Sequence, residues 1–277
     1  MSAPVIHSLN CSTMCPNGAV RLGIIEADPG HLVAQCLLIE GSSGLILVDT
    51  GFGTDDVRDR GRLGPARLLT GPILDEKETA IRQIEGLGLD PADVRHIVVT
   101  HLDLDHAGGI GDFPNAEVHV HRTELDAALH PTRRTATRYR SAQWAHGPKW
   151  AAHETQDGDA WNGFARARLL EDAGAEVALI ALHGHTSGHS GVAIDTGSGW
   201  LLHAGDAYLH HGEIETPVRT TRGRVVYHRF NSVDETLRRE NAARLAELAR
   251  EHAGDVTVFC SHDPADLVRV RAKLAGV

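Results

Sequence analysis

Directly after the apolar run Ile97–Thr100, the chain reads His101-Leu102-Asp103-Leu104-Asp105-His106-Ala107-Gly108-Gly109. No other stretch narrows the possibilities as far. Four side chains able to bind a metal fall within six positions. In extended backbone, residues i and i+2 face the same side, so His101 and Asp103 reach one point. Asp105 and His106 sit where the chain turns through Ala107-Gly108-Gly109 and aim at a second point nearby, the glycines permitting a tight turn. One ion does not easily accept all four from so short a stretch, whereas two ions sharing a pocket do.

Three later residues extend the pattern. His185 follows the apolar run Glu176–Leu182, Asp206 follows Trp200–His203, and His262 follows Asp255–Cys260. A lone His or Asp at a strand end is ordinarily a cap or a turn. Four such sites, each at the exit of a predicted buried strand, point instead to loops converging on one pocket. The chain also carries 19 histidines against 3 tyrosines and 5 phenylalanines, and histidine is the commonest metal ligand.

The remaining sequence alternates short apolar runs with amphipathic segments. Gln35–Glu40 and Leu45–Asp49 flank Gly41-Ser42-Ser43-Gly44 and predict a β-hairpin. Further strands are expected at Ile97–Thr100, Glu117–His121, Glu176–Leu182, Gly191–Asp195, Trp200–His203 and Asp255–Cys260. Helices are expected at Lys77–Leu87, Thr123–Leu129, Asp234–Glu251 (with Leu237, Leu245 and Leu248 facing inward) and Pro264–Leu274. Residues 131–164 are rich in Arg, His and Trp, lack clear periodicity and hold three of the four tryptophans. Such a stretch reads as a lid-like insertion, an apolar wall with cationic edges over a binding site. A dimer contact is the alternative for the same segment.

At 277 residues the chain fits one large α/β domain or two small ones. Its formal charge of −10 and lack of a basic run argue against nucleic-acid binding. No window approaches a membrane span, and the first ten residues lack the basic and apolar regions of a signal peptide, so a cytoplasmic location is expected. Cys11, Cys15, Cys36 and Cys260 match neither a redox nor a zinc-finger spacing and are expected as reduced thiols, with Cys260 in the core.

These motifs resemble the metallo-β-lactamase-fold superfamily, whose signature is H-x-H-x-D-H followed by single His, Asp and His ligands. Within it, the chain is most similar to the metal-dependent N-acyl-homoserine-lactone lactonases. The resemblance runs from about residue 35 to 265 through Leu47-Val48-Asp49-Thr50-Gly51, His101 to Gly109, His121-Arg122-Thr123-Glu124, Gly184 to His189, Gly205-Asp206-Ala207 and Ser261-His262-Asp263. It implies a single α/β domain folded as an αβ/βα four-layer sandwich, two mixed β-sheets with helices outside. It also implies two divalent metal ions, one held by His101, Asp103 and His185, the other by Asp105, His106 and His262, with Asp206 bridging. Asp49 is placed behind the ligands, where it would fix the tautomer of a ligating histidine. His183 and His189 are neighbours of a ligand and not ligands themselves.

The second motif position is His in the family and Asp103 here. A carboxylate adds negative charge and a harder oxygen, moving the preference from zinc toward manganese or iron. The implied chemistry is hydrolysis of a small-molecule lactone or related ester by hydroxide generated at the two ions, with Asp105 and Asp206 in the catalytic machinery. Tyr208, two residues past Asp206, is an offset match to a lactonase tyrosine beside the substrate carbonyl. A glyoxalase-II-like thioesterase and an iron-dependent oxygenase on the same fold are the alternatives. A nuclease and a sensor with a decayed site fit less well. The fold hosts many activities, so the motif names the chemistry better than the substrate.

Overall fold

The computed structural model describes residues 4–170 and 176–276. Val5–Met14 (β1), Leu32–Glu40 (β2) and Leu45–Val48 (β3) pair antiparallel; Val94–Val98 (β4), Glu117–His121 (β5) and Lys149–His153 (β6) add in parallel, giving a sheet ordered β1 to β6. Gln156–Trp161 (β7), Phe164–Leu170 (β8), Val177–Ala181 (β9), Ser190–Asp195 (β10) and Trp200–His203 (β11) are antiparallel neighbours in a second sheet, closed by Val256–Phe259 (β12) parallel to β11. The α-helices are Thr54–Arg58 (α1), Arg67–Thr70 (α2), Ala80–Gly86 (α3), Leu104–Ala107 (α4), Arg122–Leu129 (α5), Arg222–Asn231 (α6), Glu235–Glu251 (α7) and Pro264–Leu274 (α8). No helix among the described residues is long and apolar enough to cross a membrane.

The layering follows from strands that are apolar on both faces. In β3, Leu45 and Leu47 pack outward with Ala80 and Ile84 of α3, while Ile46 and Val48 pack inward with Val177, Leu179, Val192 and Ile194 of the second sheet. In β9, Ala178 and Ile180 turn the other way, toward Leu245 and Leu248 of α7. The result is the expected αβ/βα sandwich. The hairpin between β2 and β3 closes with the Gly41 N–H donating to the Gly44 carbonyl at 3.0 Å.

Two expectations need correction. In α7 the inward residues are Arg238, Asn241, Leu245 and Leu248, whereas Leu237 is 37% exposed. The buried face is rotated because Arg238 reaches inward to donate to the Ala207 carbonyl at 2.7 Å. The stretch 131–164 is not a lid throughout. Its second half supplies β6, β7 and the start of β8, and so joins the two sheets. Trp144 and Trp161 are buried in the outer cores and Trp150 packs partly buried against one of them, so these tryptophans do not wall a binding site. Residues 131–148 and the short links 154–155 and 162–163 lie outside the sheets.

Strands β4, β9, β11 and β12 all end at one edge of the sandwich, where backbone hydrogen bonds tie their exits together. Ser190 N–H donates to the Thr100 carbonyl (2.9 Å), Ser261 N–H to Gly205 (3.1 Å) and Gln35 N–H to Ser261 (2.8 Å).

Candidate metal centre

The loops leaving these four strands bring seven side chains together. His101 Nε2 lies 3.3 Å from Asp103 Oδ2 and 4.0 Å from Asp206 Oδ2. His185 Nε2 lies 3.1 Å from Asp103 Oδ2 and 3.4 Å from Asp206 Oδ2. On the other side, Asp206 Oδ1 is 3.3 Å from His106 Nε2 and 3.1 Å from His262 Nε2, and Asp105 Oδ2 is 3.6 Å from His262 Nε2. Two donor groups result, one around His101 and His185, the other of Asp105, His106 and His262, with Asp206 between them. The four imidazoles are almost wholly buried, while Asp105 and Asp206 each keep 8% exposure. The carboxylates, Asp103 at 13% side-chain exposure among them, are the more open part of the centre.

Two of the histidine donors are aimed by a partner behind the ring. His106 Nδ1 donates to Asp49 Oδ2 at 2.9 Å, leaving Nε2 free of a proton when the ring is neutral. Asp49 also accepts from Thr100 N–H (2.7 Å) and Thr100 Oγ1 (2.8 Å), and adopts φ 52°, a left-handed conformation that Asp tolerates better than most residues. His262 Nδ1 donates to the Val33 carbonyl at 2.7 Å. His189, expected as a neighbour and not a ligand, has both ring nitrogens engaged: Nδ1 donates to the Leu182 carbonyl, and Nε2 accepts the Asp206 backbone N–H, both at 2.9 Å. Gly205 must be glycine here, because it has φ 55° and a Cβ on it would stand 2.5 Å from His189 Nε2.

Glu124 is fully buried and joins two ligand loops. Its carboxylate accepts from Leu102 N–H (3.0 Å) and Tyr139 Oη (3.2 Å) on one side, and from Thr186 Oγ1 (2.6 Å) and Gly188 N–H (3.1 Å) on the other. The sequence marked it only as part of His121-Arg122-Thr123-Glu124, without a role.

The residues fit divalent cations on their own chemistry. His101 Nε2, His106 Nε2, Asp103 Oδ1 and Asp206 Oδ1 are buried without a hydrogen-bond partner, an arrangement that is costly unless a cation satisfies it. Burial alone would raise Asp206, but His262, His106 and His185 outweigh it and hold its carboxyl well below the ordinary range. Burial would lower His262, yet Asp206 and Asp105 hold it up to about 9. His106 is likewise held well above its ordinary value, against burial, by Asp206, Asp49 and Asp105. The carboxylates thus make the pocket a trap for positive charge.

Two side chains depart from expectation. Tyr208 is 1% exposed in the outer core beneath α7, and its hydroxyl donates to Asp266 Oδ2 at 3.3 Å. It does not face the centre, because position 208 turns away from the Asp206 loop into the helix-covered side of the second sheet. Tyr227 on α6 accepts from Asn231 Nδ2 at 2.9 Å, and its hydroxyl is pushed up by burial and then by the charges of Asp206 and Asp105. Asp103 does face the centre, but Arg138 Nη1 donates to its Oδ2 at 2.7 Å. Burial would raise Asp103; Arg138 and His101 hold it well below the ordinary carboxylate range. Nothing local in the sequence around Tyr227 or Arg138 announced either residue, beyond the arginine richness of the 131–164 stretch.

The sequence profile of the metallo-beta-lactamase superfamily matches residues 29–248, and the chain belongs to that superfamily. It is a metallo-hydrolase of that group. It is 44% identical over 260 residues to the probable metallo-hydrolase Rv2300c of Mycobacterium tuberculosis (strain ATCC 25618 / H37Rv), covering 94% of this chain and 80% of that one. It is 31% identical over 232 residues to the N-acyl homoserine lactonase AttM of Agrobacterium fabrum (strain C58 / ATCC 33970), covering 82% and 80%. In fold it is similar to an N-acyl homoserine lactone hydrolase solved with N-hexanoyl-L-homoserine at its catalytic metal centre (TM-score 0.71, 24% identity, 97% of each chain). It is also similar in fold to the dizinc lactonase AidC (TM-score 0.61, 17% identity, 94% and 87% of the chains).

Proposed function

We propose that this protein is a metal-dependent hydrolase that opens a lactone or a related ester of a small molecule. The observation that carries the reading is Asp206, whose two carboxylate oxygens stand between two histidine-containing donor groups. His101, Asp103 and His185 on one side, and Asp105, His106 and His262 on the other, would hold the metal, with Asp206 shared. Zinc suits the imidazoles, and the hard oxygen of Asp103 favours manganese or iron in its half. Divalent ions held there supply Lewis acidity and lower the pKa of water toward neutrality.

The chain supplies the rest. Asp206, its backbone fixed by His189, would orient the attacking water from between the two donor groups. Asp105 keeps the opening of the centre negative and orients the same water from the other half. Asp49 and the Val33 carbonyl keep His106 and His262 in the tautomer that leaves Nε2 available. The lactone assignment is supported by the AttM relative.

The test is metal analysis of the purified protein followed by a screen of lactones, aryl esters, thioesters and β-lactams. A chelator should abolish turnover of a lactone and added Mn or Zn restore it. Metal-dependent turnover of thioesters with none of any lactone would keep the reaction type and overturn the substrate.

A further inference from the structure

Arg138 lies in the irregular stretch between α5 and β6, 35 positions from Asp103 and 47 from His185. Its Nη1 donates to Asp103 Oδ2 at 2.7 Å and stands 3.1 Å from His185 Nε2. Its Nη2 donates to Asn231 Oδ1 at 3.1 Å and to the Asn231 backbone carbonyl at the end of α6. The side chain is only 14% exposed. Two of the three donors of the His101–Asp103–His185 half therefore already point at a cation built into the chain. A guanidinium stays protonated at any pH a protein survives, so it cannot yield the His185 lone pair by losing a proton. It must move before that nitrogen can bind a metal.

The other half is different. Among the described residues, no arginine or lysine is paired with Asp105, His106 or His262.

We propose, resting on the metal-dependent reading above, that Arg138 is an internal competitor for the first metal position. The Asp105–His106–His262 half loads first. The His101–Asp103–His185 half fills only when Arg138 gives up Asp103 and His185. Asp103 is the cause of this asymmetry, since a neutral imidazole at that position would offer the guanidinium no charged partner.

The test is metal content by mass spectrometry after equilibration with zinc or manganese and gel filtration, together with calorimetric titration of the metal-free protein. The wild type should retain one ion per chain. Arg138→Gln should retain one ion more than the wild type, with its second binding step tightened about tenfold or more. Asn231→Ala, which removes one anchor of Arg138, should shift the second step the same way by less, and it carries the test if Arg138→Gln does not fold. Two tightly held ions in the wild type, with a second step unmoved in both variants, would overturn the proposal while leaving the metal reading intact. No ion retained by any of the proteins would overturn the metal reading and this proposal together.

Discussion

Two groups of histidines occupy this molecule, and they differ in what surrounds them. His101, His106, His185 and His262 stand at the sandwich edge among Asp103, Asp105 and Asp206, with Asp49 behind. His96, His119 and His153 come from β4, β5 and β6 and form a ladder, His96 Nδ1 to His119 Nε2 and His119 Nδ1 to His153 Nε2, each 3.0 Å. By strand alternation His96 shares the inward face of Val98. The ladder has one carboxylate near it, Glu117, which is half exposed and 3.8 Å from His119 Nε2. Burial, then His153 and His96, push His119 down to about 3, whereas carboxylates hold His262 up to about 9. Burial beside other imidazoles keeps an imidazole neutral; burial beside several carboxylates keeps it charged and favours a cation. The histidine count in the sequence could not separate the two.

The largest effect should come from the carboxylate shared by both halves of the centre. Asp206→Asn should lower turnover by roughly a thousandfold or more in steady-state assays, with little change in melting temperature. His119→Asn should stay within about twofold of wild type in the same assay. A loss at His119 matching that at Asp206 would erase the distinction between the groups.

Next in size is the support behind the ligands. Asp49→Ala frees the tautomer of His106 and should weaken metal binding by about 10- to 100-fold in a competitive chelator titration. Unchanged affinity would mean that Thr100, whose Oγ1 lies 3.5 Å from His106 Nδ1, is enough to orient the ring.

The ladder has its own signature in pH. The folded pKa of His119 lies below its unfolded value, so the unfolded chain binds the extra proton between the two. The stability it contributes is complete above about pH 6.5 and is lost as pH falls toward about 3, at no more than ~1.4 kcal/mol per pH unit. His119→Asn should flatten the dependence of melting temperature on pH between about 6 and 4. An unchanged slope would show that other groups carry the acid sensitivity. The smallest effect is expected at Tyr208→Phe, which removes one hydrogen bond to Asp266: about 1 kcal/mol of stability, and turnover within about twofold. A large loss of turnover there would place the tyrosine nearer the chemistry than its core position allows.

Much of the fold and of the donor set is legible in the sequence because both depend on short-range periodicity. Strands apolar on both faces specify a layer covered on each side, as in Leu45–Val48 and Val177–Ala181. A histidine or aspartate just past the end of such a strand is carried to the sheet edge by chain connectivity alone, so the sequence itself places His101, His185, Asp206 and His262 there. Edge and polar strands are less visible. β1 carries Ser, Asn and Thr among its apolar residues, and β6 to β8 are edge or near-edge strands whose stability comes from pairing with β5 and β9.

Three decisions belong to the tertiary structure. Tyr208 turns into the core beneath α7 because its Cβ leaves the loop on the helix-covered side, and two positions of sequence spacing after Asp206 do not encode that direction. Tyr227, on a helix that the sequence pattern does not announce, bonds Asn231 and so sits beside the residue that anchors Arg138. Arg138 meets Asp103 across 35 residues, held by Asn231 from a third element, and its charge selects which half of the centre is left open to a metal. Sequence by itself determined which donors arrive at the edge, because backbone periodicity acts over a few residues. Which cation those donors meet first was decided by packing, because long flexible side chains are fixed only by partners that folding brings from far along the chain.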